Sequence, residues 1–272
     1  MSDLFGKLKE VYLLRKVNRG SVPVPHRLNN LTAANRRQLA CHKSINASVY
    51  AHNDVKASLS LLYHDKCYIC ENDVSDGRYN VEHFLPKKYF PHLGYSWSNL
   101  HKACDGCNLA KEKKEILLRD DAGNVVDISL LDPSSDDYSV DNYITFDNDG
   151  MAQTKYIEGD DENLGKANST VLYLNGKTSS TYSHSLPYLR LLRIRNFTDF
   201  CVENLNTYKA RLIELKVTAE EYEVPSETDL ASEQNLCQLL INMDNEYLSE
   251  KAFFSTSTRC ILFPILRITY PE

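Results

Sequence analysis

The chain has 272 residues, is 42% hydrophobic and carries a net charge of -6, enough to bury a full core in one or two domains and too long for a disulfide-stapled miniprotein. No apolar run approaches the roughly 20 residues of a membrane span, and the opening MSDLFGKLKE lacks the apolar centre of a signal peptide, so a cytosolic protein with no membrane partner is expected. The charge is uneven, +7 over residues 1-66, +1 over 67-119 and -14 over 120-272; the basic front fits phosphate contact by one face, and a solvated basic helix fits it equally well.

In chain order, RKVNRGSVPVPHRL joins a basic run to Pro23 and Pro25 and reads as an extended or turn-like arm. A helical pattern runs from Thr32 to about Tyr50, and Asp54 reads as the N-cap of a helix carrying Val55, Leu59 and Leu62 on one face. The central segment predicts a strand ending at His83, a loop, a second strand after Asn99, a knuckle at Cys104 to Cys107 and a helix beginning near Asn108, a ββα order. GNVVDISLLDP and NYITFDNDGMAQTKY alternate apolar and polar residues and predict short strands, with Asp149-Gly150 as a hairpin turn. Glu158 to Lys166 reads as a loop. Helices are expected from about Pro187 to Tyr222, ended by Pro225, and from Ser226, capped with Asp229, to Leu248. The expected fold class is α+β, with a basic N-terminal arm and helices over 1-66, a zinc-knuckle module over 67-119, and short strands followed by an acidic helical part over 120-272.

The chemistry concentrates in the central segment. Two CxxC pairs, Cys67/Cys70 and Cys104/Cys107, suit a closed tetrahedral zinc site, because each two-residue spacer lets both sulfurs face one ion. Cys41, Cys201, Cys237 and Cys260 lie singly in apolar stretches and read as reduced buried thiols. Between the knuckles, Glu82 and Asn108 can approach one hard cation, Mg2+ or Mn2+, since carboxylate and amide oxygens suit these better than zinc. His83 remains free to act on water, and at an ordinary pKa of about 6.5 its imidazole accepts a proton near neutral pH. Lys111, one turn after Asn108, could point at the same phosphate, with Lys87 and Lys88 holding neighbouring ones. His101 is a further candidate phosphate contact, and His92 reads as structural.

CYIC, NVEHFLPK and WSNLHKACDGCNLAK resemble the zinc-knuckled branch of the HNH endonucleases. The resemblance implies a ββα-metal module in which His83 is the general base, Asn99 fixes its backbone and ring, and Glu82 and Asn108 hold a divalent metal. The chain departs from the commoner pattern at Glu82, where aspartate is usual, and at Asn108, where many members have histidine. RKVNRGSVPVP, CYICE, VEHFLPK, WSNLHKACDGCN, LLDPSSDD and YITFDNDG further resemble the PtuB-like HNH proteins of Septu and retron antiphage systems, over roughly the first 195 residues. That resemblance implies a nucleic-acid substrate, a PtuA-like ATPase partner and, in retron versions, a reverse transcriptase with its RNA-DNA product. DNA is the first-choice substrate. A ribonuclease acting on structured RNA such as tRNA, and a zinc-stabilised scaffold with little activity, remain open.

Overall fold

Two prolines and two caps shape the approach to the central segment. The computed structural model describes residues 17-29, 45-111, 116-155, 159, 161-176, 186-200, 202-203, 238, 242-248, 251-252, 258 and 260. After a single 3-10 turn at Arg19–Ser21, the stretch around Pro23 and Pro25 carries no regular structure and leads to α1 (His26–Asn29), which buries Leu28 completely. The helix expected from Thr32 falls mostly outside the described residues, and its end is a separate element. Asn46 is extended and its side chain accepts from the Ser48 N–H, so it starts α2 (Ala47–Tyr50) afresh. An asparagine offers the backbone this local alternative to a continuous helix.

The i, i+4, i+7 spacing of Val55, Leu59 and Leu62 drives α3 (Asn53–Tyr63), whose apolar face is buried as expected. Its cap is His52 rather than Asp54. Asp54 sits in the first turn, where its carboxylate accepts from the backbone N–H groups of Arg27 at 2.7 Å and Val55 at 2.8 Å. A negative charge there complements the amide dipoles of the helix start. His64 and Asp65, at φ of 50° and 58°, then turn the chain toward Cys67.

Among the described residues, three separate two-stranded antiparallel sheets follow. In the first, β1 (Tyr79–His83) pairs with β2 (Leu100–Cys104), setting Tyr79 opposite Cys104, Glu82 opposite His101 and His83 opposite Leu100. Every residue of β2 is buried, and α4 (Asp105–Lys111) continues directly from it and packs on both strands. The second pairs β3 (Leu117–Arg119) with β4 (Val125–Ile128), and the third pairs β5 (Ile144–Phe146) with β6 (Ala152–Thr154). Gly150 closes the β5-β6 turn at φ 74°, where a Cβ would meet the Leu191 nitrogen and Pro187 oxygen at 2.8 Å, so glycine is required by both conformation and space.

The expected loop from Glu158 to Lys166 is overturned. Helix α5 (Asp161–Leu174) begins inside it. Its polar first turns face outward and are stabilised by Lys166, which pairs with Glu162 at 3.3 Å and Asp127 at 2.7 Å, while Ala167, Thr170, Tyr173 and Leu174 bury the inner face. Residues 186-200 and 202-203 are helical, as is 242-243 before a π-helical turn at Asp244–Leu248. The remainder of the two C-terminal helices, with Pro225, Ser226 and Asp229, lies outside the described residues, as do Cys41, Cys201 and Cys237. Cys260 is a free, half-buried thiol. One buried cluster runs from Val22 through α3, all four knuckle cysteines and β2 to Tyr173 and Leu186. No helix among the described residues is long and apolar enough to cross a membrane.

Candidate functional site

The four knuckle sulfurs come together as a set. Cys67, Cys70, Cys104 and Cys107 are all buried and their Sγ atoms lie within 4.8 Å of one another. The Cys70 to Cys104 separation, 3.9 Å, is too long for a disulfide and close to the edge of about 3.8 Å that a sulfur tetrahedron has when Zn–S is about 2.3 Å. Each pair is held by its own turn. Glu71, at φ 59°, returns its N–H to the Cys67 carbonyl, and the Cys107 N–H points at the Cys104 sulfur at 3.4 Å. Hydrogen bonds from Cys107, then from Cys67 and Cys70, drive the Cys104 thiol far below its usual range, while the Cys70 and Cys107 thiols are driven up, first by their own hydrogen bonds with Cys104. Four sulfurs this close cannot all ionise by themselves; a divalent cation at their centre would allow it, and the donor set is able to hold zinc.

The staple sets the neighbouring strands. Cys104 ends β2 opposite Tyr79, so fixing its sulfur fixes where Glu82 and His83 stand on β1. Consecutive strand residues leave opposite faces. Glu82 turns toward α4, where its Oε1 accepts from Lys111 Nζ at 2.7 Å. His83 turns toward α2, its ring edge-on to Tyr50 at 4.6 Å, and its Nε2 lies 2.9 Å from the Gly94 carbonyl. That contact requires the proton on Nε2 and leaves the Nδ1 lone pair as the acceptor. Burial, reinforced by the Lys87 and Lys111 charges and opposed by the Gly94 bond, brings the His83 pKa down to about 4 rather than the ordinary 6.5 expected from sequence. The imidazole is neutral at pH 7.

Asn99 is buried and works on backbone alone. Its side chain accepts from the Leu85 N–H at 2.7 Å and donates to the Leu85 carbonyl at 3.0 Å, while its own carbonyl takes the Phe84 N–H at 2.9 Å. These bonds clamp the chain immediately after His83. A longer contact from the same amide reaches the Leu93 carbonyl, beside the Gly94 group that orients the ring.

Lys111 is placed differently from the expectation that it faces a phosphate. It is 3% exposed, and besides Glu82 its ammonium donates to the His83 carbonyl at 2.5 Å. Burial lowers its pKa and the Glu82 charge opposes that shift. Asn108 is half-buried one turn earlier on α4. Lys87 bonds the Tyr50 hydroxyl at 2.7 Å, on the His83 side, and Lys88 lies over the Tyr89 ring.

His101 cannot touch a phosphate in this arrangement, which corrects the sequence reading. It is fully buried, its ring tilted against that of Tyr68 with centroids 4.4 Å apart, bonded to the Tyr63 hydroxyl at 2.7 Å and crossed by Arg19 at 3.0 Å. Arg19 itself was not singled out by sequence reasoning. Its guanidinium donates to the carbonyls of Trp97 at 2.7 Å and Leu100 at 2.9 Å and to Ser134 at 2.8 Å, so at this position the basic arm is a staple under β2 rather than a phosphate contact. Ser134 in turn donates to Asp132, whose carboxyl is raised by burial. The only sequence signals were the RKVNRG and LLDPSSDD strings, whose partners lie 78 to 115 residues away.

No family model matches the sequence, and no solved structure matches it. Over 77 residues the chain is 36% identical to the Septu protein PtuB of Bacillus thuringiensis, a stretch that is 26% of this chain. The chain spans about 30% of the length of that curated relative.

Proposed function

We propose that the chain is a metal-dependent endonuclease of the HNH type, cutting nucleic-acid phosphodiester bonds, and that it serves as a component of an antiphage defence system. The observation that carries this reading is the state of His83: a neutral imidazole, tied through Nε2 to a backbone carbonyl, at the paired end of a strand whose preceding residue is a carboxylate. In this reading, Nδ1 of His83 takes a proton from the attacking water. Asn99 acts as a positioning residue by clamping Phe84 and Leu85. Glu82 and Asn108 offer hard oxygens that would hold Mg2+ or Mn2+, and Glu82 already needs a cation beside it, a need that Lys111 meets here. When bound, such an ion supplies positive charge to the scissile phosphate and the departing oxygen. Lys87 and Lys88 are the cations available to flanking phosphates, and Lys111 joins them only on leaving Glu82.

The defence role rests on the partial likeness to the Septu protein, and it brings with it a PtuA-like ATPase as the proposed partner. A reverse transcriptase with its RNA-DNA product is the proposed addition in a retron setting. The Lys111-Glu82 bond favours one second reading, a zinc-held scaffold in which no second metal enters.

The test is to offer DNA and structured RNA to the zinc-loaded protein, with its co-purifying partner, in Mg2+ or Mn2+. Wild type is expected to cut DNA and His83→Ala to cut neither polymer while keeping its zinc. Cutting of RNA alone moves the substrate to the runner-up, and equal inactivity of wild type and variant supports the scaffold.

A further inference from the structure

Tyr50 touches both the imidazole of His83 and the ammonium of Lys87. Its position follows from the chain before it. Asn46 starts the helix afresh, so α2 is a single turn with Tyr50 as its last residue and Ala51 as its C-cap. The turn is tied down at its start by the Asn46 N–H, which donates to the Tyr95 hydroxyl at 2.8 Å, and Tyr95 follows the glycine whose carbonyl holds His83 Nε2. Ile45 closes on the same corner so tightly that a Cβ on Gly94 would stand 2.7 Å from its Cδ1. At the other end, the Tyr50 ring meets the imidazole at 71° with centroids 4.6 Å apart, an edge arrangement that aromatic pairs favour. Both ends of the 45-50 segment therefore brace the imidazole.

A phenylalanine ring would serve that contact equally well; the hydroxyl has a separate task. Tyr50 is 8% exposed, and its oxygen accepts from Lys87 Nζ at 2.7 Å. Lys87 is exposed, on the connection that leaves β1 just after His83. The neighbouring lysines are placed otherwise, Lys111 buried against Glu82 and Lys88 over the Tyr89 ring. An ammonium has three N–H donors, and among the described residues Lys87 spends one of them, on Tyr50. The other two suit the non-bridging oxygens of one phosphate. A free lysine must be ordered when it binds, and a phenol oxygen that already holds the ammonium removes part of that cost.

We infer that Tyr50 is a positioning residue of the substrate site: its hydroxyl holds the Lys87 ammonium ready for a backbone phosphate of the nucleic acid, at a fixed offset from the imidazole that its ring braces. The inference rests on the nuclease reading above and adds to it the residue that sets where the strand lies.

Binding of a fluorescein-labelled DNA duplex and of a labelled RNA hairpin is read by anisotropy on the zinc-loaded full chain without added Mg2+ or Mn2+, and cutting is read in parallel with either ion and the co-purifying partner. Tyr50→Phe, which keeps the ring, is expected to bind about fivefold more weakly, the cost of ordering one long side chain at the moment of contact. Lys87→Ala is expected to bind more weakly and to lower the salt dependence by about one phosphate contact. In the Lys87→Ala background, Tyr50→Phe is expected to change nothing further, because its effect passes through the ammonium; a tyrosine that merely packs would weaken binding by the same factor in both backgrounds. Zinc content and near-ultraviolet circular dichroism confirm that the variants are folded. Equal affinity of wild type and Tyr50→Phe, an equal loss in both backgrounds, or wild type binding neither polymer overturns the proposal. Wild type that completes this cycle yet cuts neither polymer removes the nuclease reading and leaves Tyr50 positioning a nucleic-acid contact.

Discussion

Replacing Lys111 with Met should separate a purely structural ion pair from a carboxylate waiting for a metal. The Lys111 side chain is 2% exposed and that of Glu82 19%, with Nζ and Oε1 2.7 Å apart, so the substitution keeps the packing of the side-chain stem while leaving a mostly buried negative charge alone. Breaking such a pair from one side costs 3–5 kcal/mol, and the residual hydration of Glu82 places this case near the lower end, about 3 kcal/mol. For a chain of this length that corresponds to a fall in Tm of about 5 °C. Differential scanning fluorimetry of the zinc-loaded protein without other metals should show it. Adding Mn2+ should raise the Tm of Lys111→Met more than that of wild type, because the stranded carboxylate is then free to take the ion without first displacing an ammonium. The double variant Glu82→Gln/Lys111→Met should regain stability over Lys111→Met, since the uncompensated charge is gone. The reasoning fails if Lys111→Met melts with wild type. An equal Mn2+ shift in both proteins refutes the idea that Glu82 accepts a cation at this position.

Cys104→Ser should lower zinc content from one ion per chain and reduce soluble yield together, measured by atomic absorption on the purified fraction, because removing a sulfur unlocks both knuckles and β2 at once. Arg19→Ala leaves the Trp97 and Leu100 carbonyls and Ser134 without their donor, and should cost about 3 kcal/mol in urea unfolding; an unchanged midpoint would show that the arm is not a staple. His101 is held well below its ordinary pKa, by burial first and by the Arg19 charge next. The unfolded chain therefore binds a proton that the fold refuses, so this contribution is full above about pH 6.5 and is lost on acidification at up to about 1.4 kcal/mol per pH unit. Comparing urea midpoints of wild type and His101→Phe at several pH values should show the stability gap between them shrinking as pH falls below that value; a gap independent of pH would be the contrary result.

What could be read from the chain alone was whatever local spacing encodes. The two CxxC pairs, the Val55-Leu59-Leu62 stripe and the alternation around Asp149-Gly150 each carry their geometry within a few residues, and the structure places them accordingly. The start of α5 was hidden because its first turns are mostly polar and its buried residues begin only at Ala167, so a loop composition masked a helix stabilised from outside by Asp127. The inward turn of Lys111 and the burial of His101 were hidden for another reason. Each depends on a partner 28 to 82 residues away, and a titratable side chain looks the same in sequence whether it faces water or another charge.

The pairing of Tyr79 with Cys104 has a consequence for how this chain can vary. A sheet has a parity: losing one residue inside Tyr79–His83 would exchange the sides on which the carboxylate and the imidazole emerge, whereas trimming the 84-96 connection would leave both sides unchanged. With the facing strand anchored through Cys104, such an error cannot be repaired by sliding, so variation in length belongs to the connections and is barred from the ladder.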